Sequence, residues 1–120
     1  MPITKEQPLI GVVGPCAAGK TTLIAQLDAL GYRTRHIAQE HSFVKDMWQR
    51  LSNPDVLIYL DASYPVSLKR RNLNWSQSEH SEQERRLRHA REHAELFIQT
   101  DDLTPEDVLN TVQNFMKDFI

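Results

Sequence analysis

The stretch Gly14-Pro15-Cys16-Ala17-Ala18-Gly19-Lys20-Thr21-Thr22 decides how the chain is read. A glycine, four residues, then Gly-Lys-Thr match the G-x-x-x-x-G-K-[ST] phosphate-loop (Walker A) pattern. The flanks fit as well. Leu9-Ile10-Gly11-Val12-Val13 is a short β-branched apolar run, suited to a buried parallel strand. After the loop, Leu23, Ile24, Leu27 and Leu30 recur at helical spacing from about Lys20, and Gly31 supplies a stop. The pattern therefore sits between a strand and a helix.

That placement has a chemical meaning. Glycines let the backbone curl so that successive N–H groups point inward. The first turn of the following helix adds unpaired N–H groups and a positive dipole end. Residues Gly14, Pro15, Cys16, Ala17, Ala18, Gly19, Lys20, Thr21 and Thr22 are the expected binding set for a nucleoside triphosphate such as ATP. Lys20 is expected to reach the β- and γ-phosphates, and the Thr21 hydroxyl to ligate Mg²⁺. Cys16 within the loop is either a reactive thiol or a small residue tolerated in a tight turn.

Working outward, Tyr32 to Ala38 reads as a polar edge strand, and Val44 to Leu51 as a helix ended by Asn53-Pro54. Val56 to Leu60 is a buried strand ending at Asp61, and Pro65 starts another helix. Residues 72–80 read as a polar loop. Ser81 and Glu84 form a capping-box pattern for a helix to about Glu95, with a thin stripe of Leu87, Ala90 and Ala94. Leu96 to Gln99 is a fourth strand. Thr104, Pro105 and Asp107 open a last helix with a broad apolar face. Alternating strands and helices predict a three-layer α/β fold with a four-stranded parallel sheet; 2-1-3-4, with the phosphate-loop strand inside, is a guess at its order.

The bulk properties narrow the classes. The chain has 120 residues and a formal net charge of -2, with 40% hydrophobic and 25% charged residues, as expected of one globular domain spanning 1–120. That charge makes nucleic acid an improbable partner. No apolar run approaches the roughly 18 residues of a membrane span. The N-terminal MPITKEQPLIGVVG lacks a long apolar core, and Cys16 has no second cysteine to pair with, which together set the expectation of a cytoplasmic chain. No Asn-Lys-x-Asp guanine-reading motif is present.

Three stretches, GPCAAGKTT, NPDVLIYLDASYPVSLKRR and LFIQTDDLTPEDVLNTVQNFM, resemble the P-loop nucleoside and nucleotide kinases of the thymidylate-kinase-like and deoxynucleoside-kinase-like group. They cover roughly two thirds of the chain, and only the first is highly specific. The resemblance implies γ-phosphoryl transfer from ATP to a small nucleoside- or nucleotide-like acceptor, with a LID-like segment at about 72–95. It also marks a departure. Only a short helical segment fits between strand two and Pro54, so the family's strand bearing an Asp-Arg or Asp-Gly site has no counterpart here. The alternative function is a nucleotide-binding module that hydrolyses slowly or senses nucleotide through a protein partner.

Further candidates follow from these stretches. Asp61, at the end of an apolar strand, fits a Walker B carboxylate for Mg²⁺, or an acceptor for N–H groups at the turn. Glu40 just past strand two is a general base or Mg²⁺-water ligand by resemblance, or an exposed loop glutamate. Seven of the 14 Lys and Arg residues, Lys69, Arg70, Arg71, Arg85, Arg86, Arg88 and Arg91, fall between 69 and 91. Arg85 and Arg88 are the lid arginines the resemblance implies, with Arg71 able to join them. Otherwise the helix carries a solvated basic face paired with Glu82, Glu84, Glu92 and Glu95. His89 and His93 have metal-compatible spacing without a third close ligand, and Trp75 is a surface contact or a base-stacking residue. The Met47/Trp48 helix is a core element or a homodimer face.

Overall fold

A computed structural model describes residues 7–71, excluding the side chain of Arg71, and residues 76–119. Trp75 and the start of the expected lid segment, 72–75, lie outside the described residues. The element order is β1 (Leu9–Val13), α1 (Lys20–Ala29), β2 (Arg33–His36), a 3₁₀ turn (Gln39–His41), α2 (Met47–Leu51), β3 (Val56–Asp61), α3 (Tyr64–Arg71), α4 (Gln77–His93), β4 (Leu96–Gln99) and α5 (Pro105–Phe119).

The four strands form one sheet in the order β2-β1-β3-β4, which is the expected order with the phosphate-loop strand inside. Every pairing is parallel, with Val12 opposite His36 and Ile58, and Tyr59 opposite Phe97. Strand periodicity sorts the side chains onto two faces. Ile10, Val12, Val56, Ile58 and Leu60 pack with Leu23 and Leu27 of α1 and Val108, Val112 and Met116 of α5. Val13, Leu57 and Tyr59 pack on the other face with Ile37, Trp48 of α2, and Leu87 and Ala90 of α4. The β3 strand is buried from both sides, which is why its sequence is an uninterrupted apolar run. No described helix is long and apolar enough to cross a membrane.

Local signals explain most boundaries. Gly31, with φ +92°, follows the last turn of α1 in the left-handed region that suits glycine. In α5, Thr104 Oγ1 accepts from the Asp107 N–H at 3.1 Å, and Asp107 accepts from the Thr104 N–H at 2.9 Å. The expected polar loop over 72–80 is corrected by α4, which starts at Gln77 instead of after Ser81. Ser76 and Glu79 form the capping box actually used. The sequence offers two boxes in succession. The earlier one adds His80 to the buried stripe of α4 with Gln83, Leu87 and Ala90, and brings its ring to the Ala62 carbonyl just past β3. The helix expected from Val44 is also shorter, starting at Met47 and burying only Trp48 while Leu51 stays 77% exposed.

Candidate functional site

The loop between β1 and α1 has a backbone that only certain residues allow. Gly14 has φ +152°, and a Cβ there would lie 2.0 Å from the backbone oxygen of Leu60. The strand β3 passes so close that position 14 accommodates hydrogen alone. Gly19 has φ +100° in open space, so its requirement is conformational and not steric. Ala17 is also left-handed, with φ 69°. The loop closes through the Ala18 N–H donating to Pro15 O at 3.2 Å. Gly19 caps α1 without a side-chain hydrogen bond, and the first intrahelical bond runs from Leu23 N–H to Gly19 O. The N–H groups of Lys20, Thr21 and Thr22 therefore have no partner within the helix. All three residues line a cavity of about 610 Å³.

Lys20 lines that cavity but does not reach across it. Its ammonium is folded back into the loop, donating to Gly14 O, to Pro15 O at 3.3 Å, and to Glu40 Oε2 at 2.6 Å. Both side chains of this ion pair are nearly inaccessible, 7% and 5% exposed. Glu40 Oε1 is buried and has no hydrogen-bond partner among the described residues. A buried carboxylate oxygen without a partner is costly in a folded protein and calls for an explanation.

Glu40 is held by its neighbour. Gln39 is 1% exposed; its Oε1 accepts from Trp48 N–H at 2.8 Å, and its amide donates to Val44 O at 2.8 Å and Arg86 O at 3.3 Å. It ties the 3₁₀ turn to α2 and α4 at once. Nothing in its local sequence distinguished Gln39, because its partners are 5 to 47 residues away.

The expected site residues fall into two groups. Cys16 to Thr22 line the cavity together with Glu40, while Gly14 and Pro15 contribute the carbonyls that hold Lys20. Asp61, Arg85 and Arg88 do not line it. Asp61 ends β3 on the α4 face, where burial first pushes its carboxyl above the ordinary value and Arg91 pulls it back. Glu84 raises it further, while the Ala62 N–H and His80 lower it. Arg85 faces outward and pairs with Glu82 at 2.9 Å, and Arg88 is exposed. The Arg85 hydrogen bond holds the Glu82 carboxyl below its usual range.

Two other basic residues reach this region. Arg70, at the end of α3, donates to Ala17 O at 3.2 Å and Thr100 Oγ1 at 2.8 Å, and lines the cavity. Arg86 reaches Glu40 O at 3.4 Å and stands 4.3 Å over the Phe43 ring. Gln83 of α4 accepts from the Cys16 N–H at 3.0 Å and donates to Cys16 Sγ at 3.2 Å. The basic clustering from 69 to 91 signalled arginines near the loop, but the helical phase of α4 selects which ones. His89 and His93 lie on α4 with Trp48, whose indole N–H donates to His89 Nδ1 at 3.0 Å.

No protein-family model matches the chain, and comparison with curated proteins finds no similar sequence.

Proposed function

We propose that this chain is a P-loop protein that binds a nucleoside triphosphate and moves the terminal phosphoryl group of ATP to a small, nucleoside- or nucleotide-like hydroxyl or phosphate acceptor. The observation that carries the proposal is the buried Glu40 oxygen without a partner, set beside Lys20 in the cavity onto which the first turn of α1 opens. Phosphoryl transfer needs fixed donors for phosphate oxygens, a cation near the β- and γ-phosphates, and a carboxylate near the attacking oxygen. The Thr21 and Thr22 N–H groups supply the first and Glu40 the third; Lys20 supplies the second only by leaving the Gly14 and Pro15 carbonyls for the phosphates when nucleotide binds.

The donor set also fits Mg²⁺. The Thr21 hydroxyl is a hard oxygen ligand of the kind that ion takes, and Glu40, whose one free oxygen serves as the base, is left out of that set. When bound, it would neutralise charge on the phosphate oxygens. In the transfer itself the acceptor O–H gives its proton to Glu40, the acceptor oxygen bonds to the γ-phosphorus, and the bond from that phosphorus to the leaving ADP oxygen breaks. Arg70, already held over Ala17 O, is better placed than Arg85 or Arg88 to meet phosphate charge.

A second function has its own support. Because Arg85 and Arg88 do not line the cavity, the protein fits equally a module that binds nucleotide and acts on a protein partner. Thermal melting decides between them, with ATP, ADP and GTP, each with and without Mg²⁺, alone and with nucleosides and nucleoside monophosphates. Ligand at a hundred times its Kd stabilises by about 2.7 kcal/mol, a shift of several degrees. A shift with ATP and Mg²⁺ plus a further shift with one acceptor supports transfer. A shift with nucleotide alone supports the binding module. No shift with any nucleotide overturns both.

A further inference from the structure

Cys16 enters the expected phosphate loop only through its backbone and His41 has no assigned part, yet the side chains of both lie near the Glu40 carboxylate. Cys16 Sγ, a carboxylate oxygen of Glu40 and a ring nitrogen of His41 all lie within 4.8 Å of one another. We propose that these three side chains form a Zn²⁺ site inside the cavity.

Three observations support it. The Glu40 side chain is 5% exposed and keeps one oxygen for a cation, since Lys20 occupies only Oε2. A sulfur, an imidazole nitrogen and a carboxylate oxygen make a mixed donor set that suits zinc and disfavours magnesium, which takes oxygen ligands. The Gln83 amide donates to Cys16 Sγ at 3.2 Å, the kind of outer contact that orients a metal-binding sulfur.

The geometry needs a modest closure. Tetrahedral zinc with bonds of about 2.0–2.3 Å sets its ligand atoms roughly 3.3–3.8 Å apart. The His41 side chain is 62% exposed, and its Nε2 already stands 3.8 Å from Glu40 Oε2, so only a small rotation is needed while Glu40 and Cys16 stay on the walls. Three protein ligands leave the fourth position to water. Binding is balanced by loss of the Cys16 thiol proton to solvent as the sulfur–zinc bond forms.

The ion would stand in the cavity lined by Thr21 and Thr22, so zinc and a triphosphate would exclude one another there. That consequence rests on the proposed function; zinc binding itself does not.

The test uses the full chain without nucleotide. Zn²⁺ is titrated against a chromophoric chelator, and Co²⁺ is added separately to read the thiolate-to-metal absorption band. The expected result is one Zn²⁺ per chain, release of a proton, and a Co²⁺ band that vanishes in Cys16→Ser. Loss of even an outer partner typically costs 10–100-fold in affinity, so Cys16→Ser and His41→Ala should each weaken zinc by at least about tenfold. Both variants replace side chains outside the packed core, and circular dichroism confirms that they fold. Unchanged affinity in both variants overturns the site. So does zinc that survives in them and is lost in His93→Ala, which would place the ion on the His89/His93 pair instead. A failed nucleotide melt with intact zinc binding would remove the proposed function and leave this site standing.

Discussion

Two ion pairs in this molecule use the same chemistry and do different things. Lys20–Glu40 joins the loop to the turn after β2, with both side chains almost fully buried. Arg85–Glu82 lies on the outer face of α4, with side chains 63% and 35% exposed. Charge and distance are nearly the same, 2.6 Å against 2.5 Å. Their surroundings differ. In water, attraction is screened and little is gained by holding two long side chains together. In the interior, two charges stripped of water depend on each other, and removing one strands the other. The inner pair is thus both a structural commitment and a reservoir of unsatisfied polarity that a ligand could relieve. The outer pair decorates a surface.

The sharpest way to break this contrast is Glu40→Ala. It leaves the Lys20 ammonium buried with only carbonyl partners, and it should cost about 3–5 kcal/mol in urea unfolding. Replacing both members, with Lys20→Met and Glu40→Leu, should recover most of that loss, since no charge is then left alone. If the single substitution is harmless, the pair is not buried in the sense described.

Gln39→Ala tests what holds the inner pair in place. It strands the Trp48 N–H, whereas the Val44 carbonyl still accepts from the Met47 N–H at 3.1 Å, and it should cost about 1–3 kcal/mol. If the proposed nucleotide binding is correct, the substitution should also weaken it, because Glu40 loses its support. Stability lost with nucleotide affinity unchanged would separate Gln39 from the site.

Asp61 offers a comparison by pH. Burial raises its folded-state pKa above the unfolded value. The folded state therefore binds more protons in the window between the two, and stability falls as pH rises through it. Asp61→Asn should raise the melting temperature at pH 7 and have little effect at pH 3. Equal effects at both values would show that the carboxyl charge is not the cause.

Arg85→Ala should bring the smallest change. Its melting temperature should match that of the parent, because the pair it breaks is solvated. If the proposed transfer is correct, Arg70→Ala should lower turnover more than Arg85→Ala does. The reverse order would mean that α4 moves onto the cavity when ligand binds.

Much of the fold was legible because local chemistry governs it. Glycine spacing marked the loop, apolar runs marked β1 and β3, and Thr104-Pro105 with Asp107 marked the start of α5. Where local signals were duplicated, as with the boxes at Ser76/Glu79 and Ser81/Glu84, the fold uses the earlier one, which buries His80 against the Ala62 carbonyl. The candidate site was legible in part. The loop residues and Glu40 converge on one cavity, whereas Arg70, Gln83 and Gln39 gained their positions from partners distant in sequence.

By itself, the sequence determined the strand–loop–helix unit around Gly14 and Gly19, and the alternation that gives a parallel four-stranded sheet. Both rest on backbone rules that act over a few residues: which φ values a residue allows, and which side chains recur on one face. Only the tertiary structure decided that Glu40 is buried against Lys20 with one oxygen free, and that Asp61 and Arg85 turn elsewhere. Burial and ion pairing depend on which distant segments share a space, and no spacing within a segment encodes that.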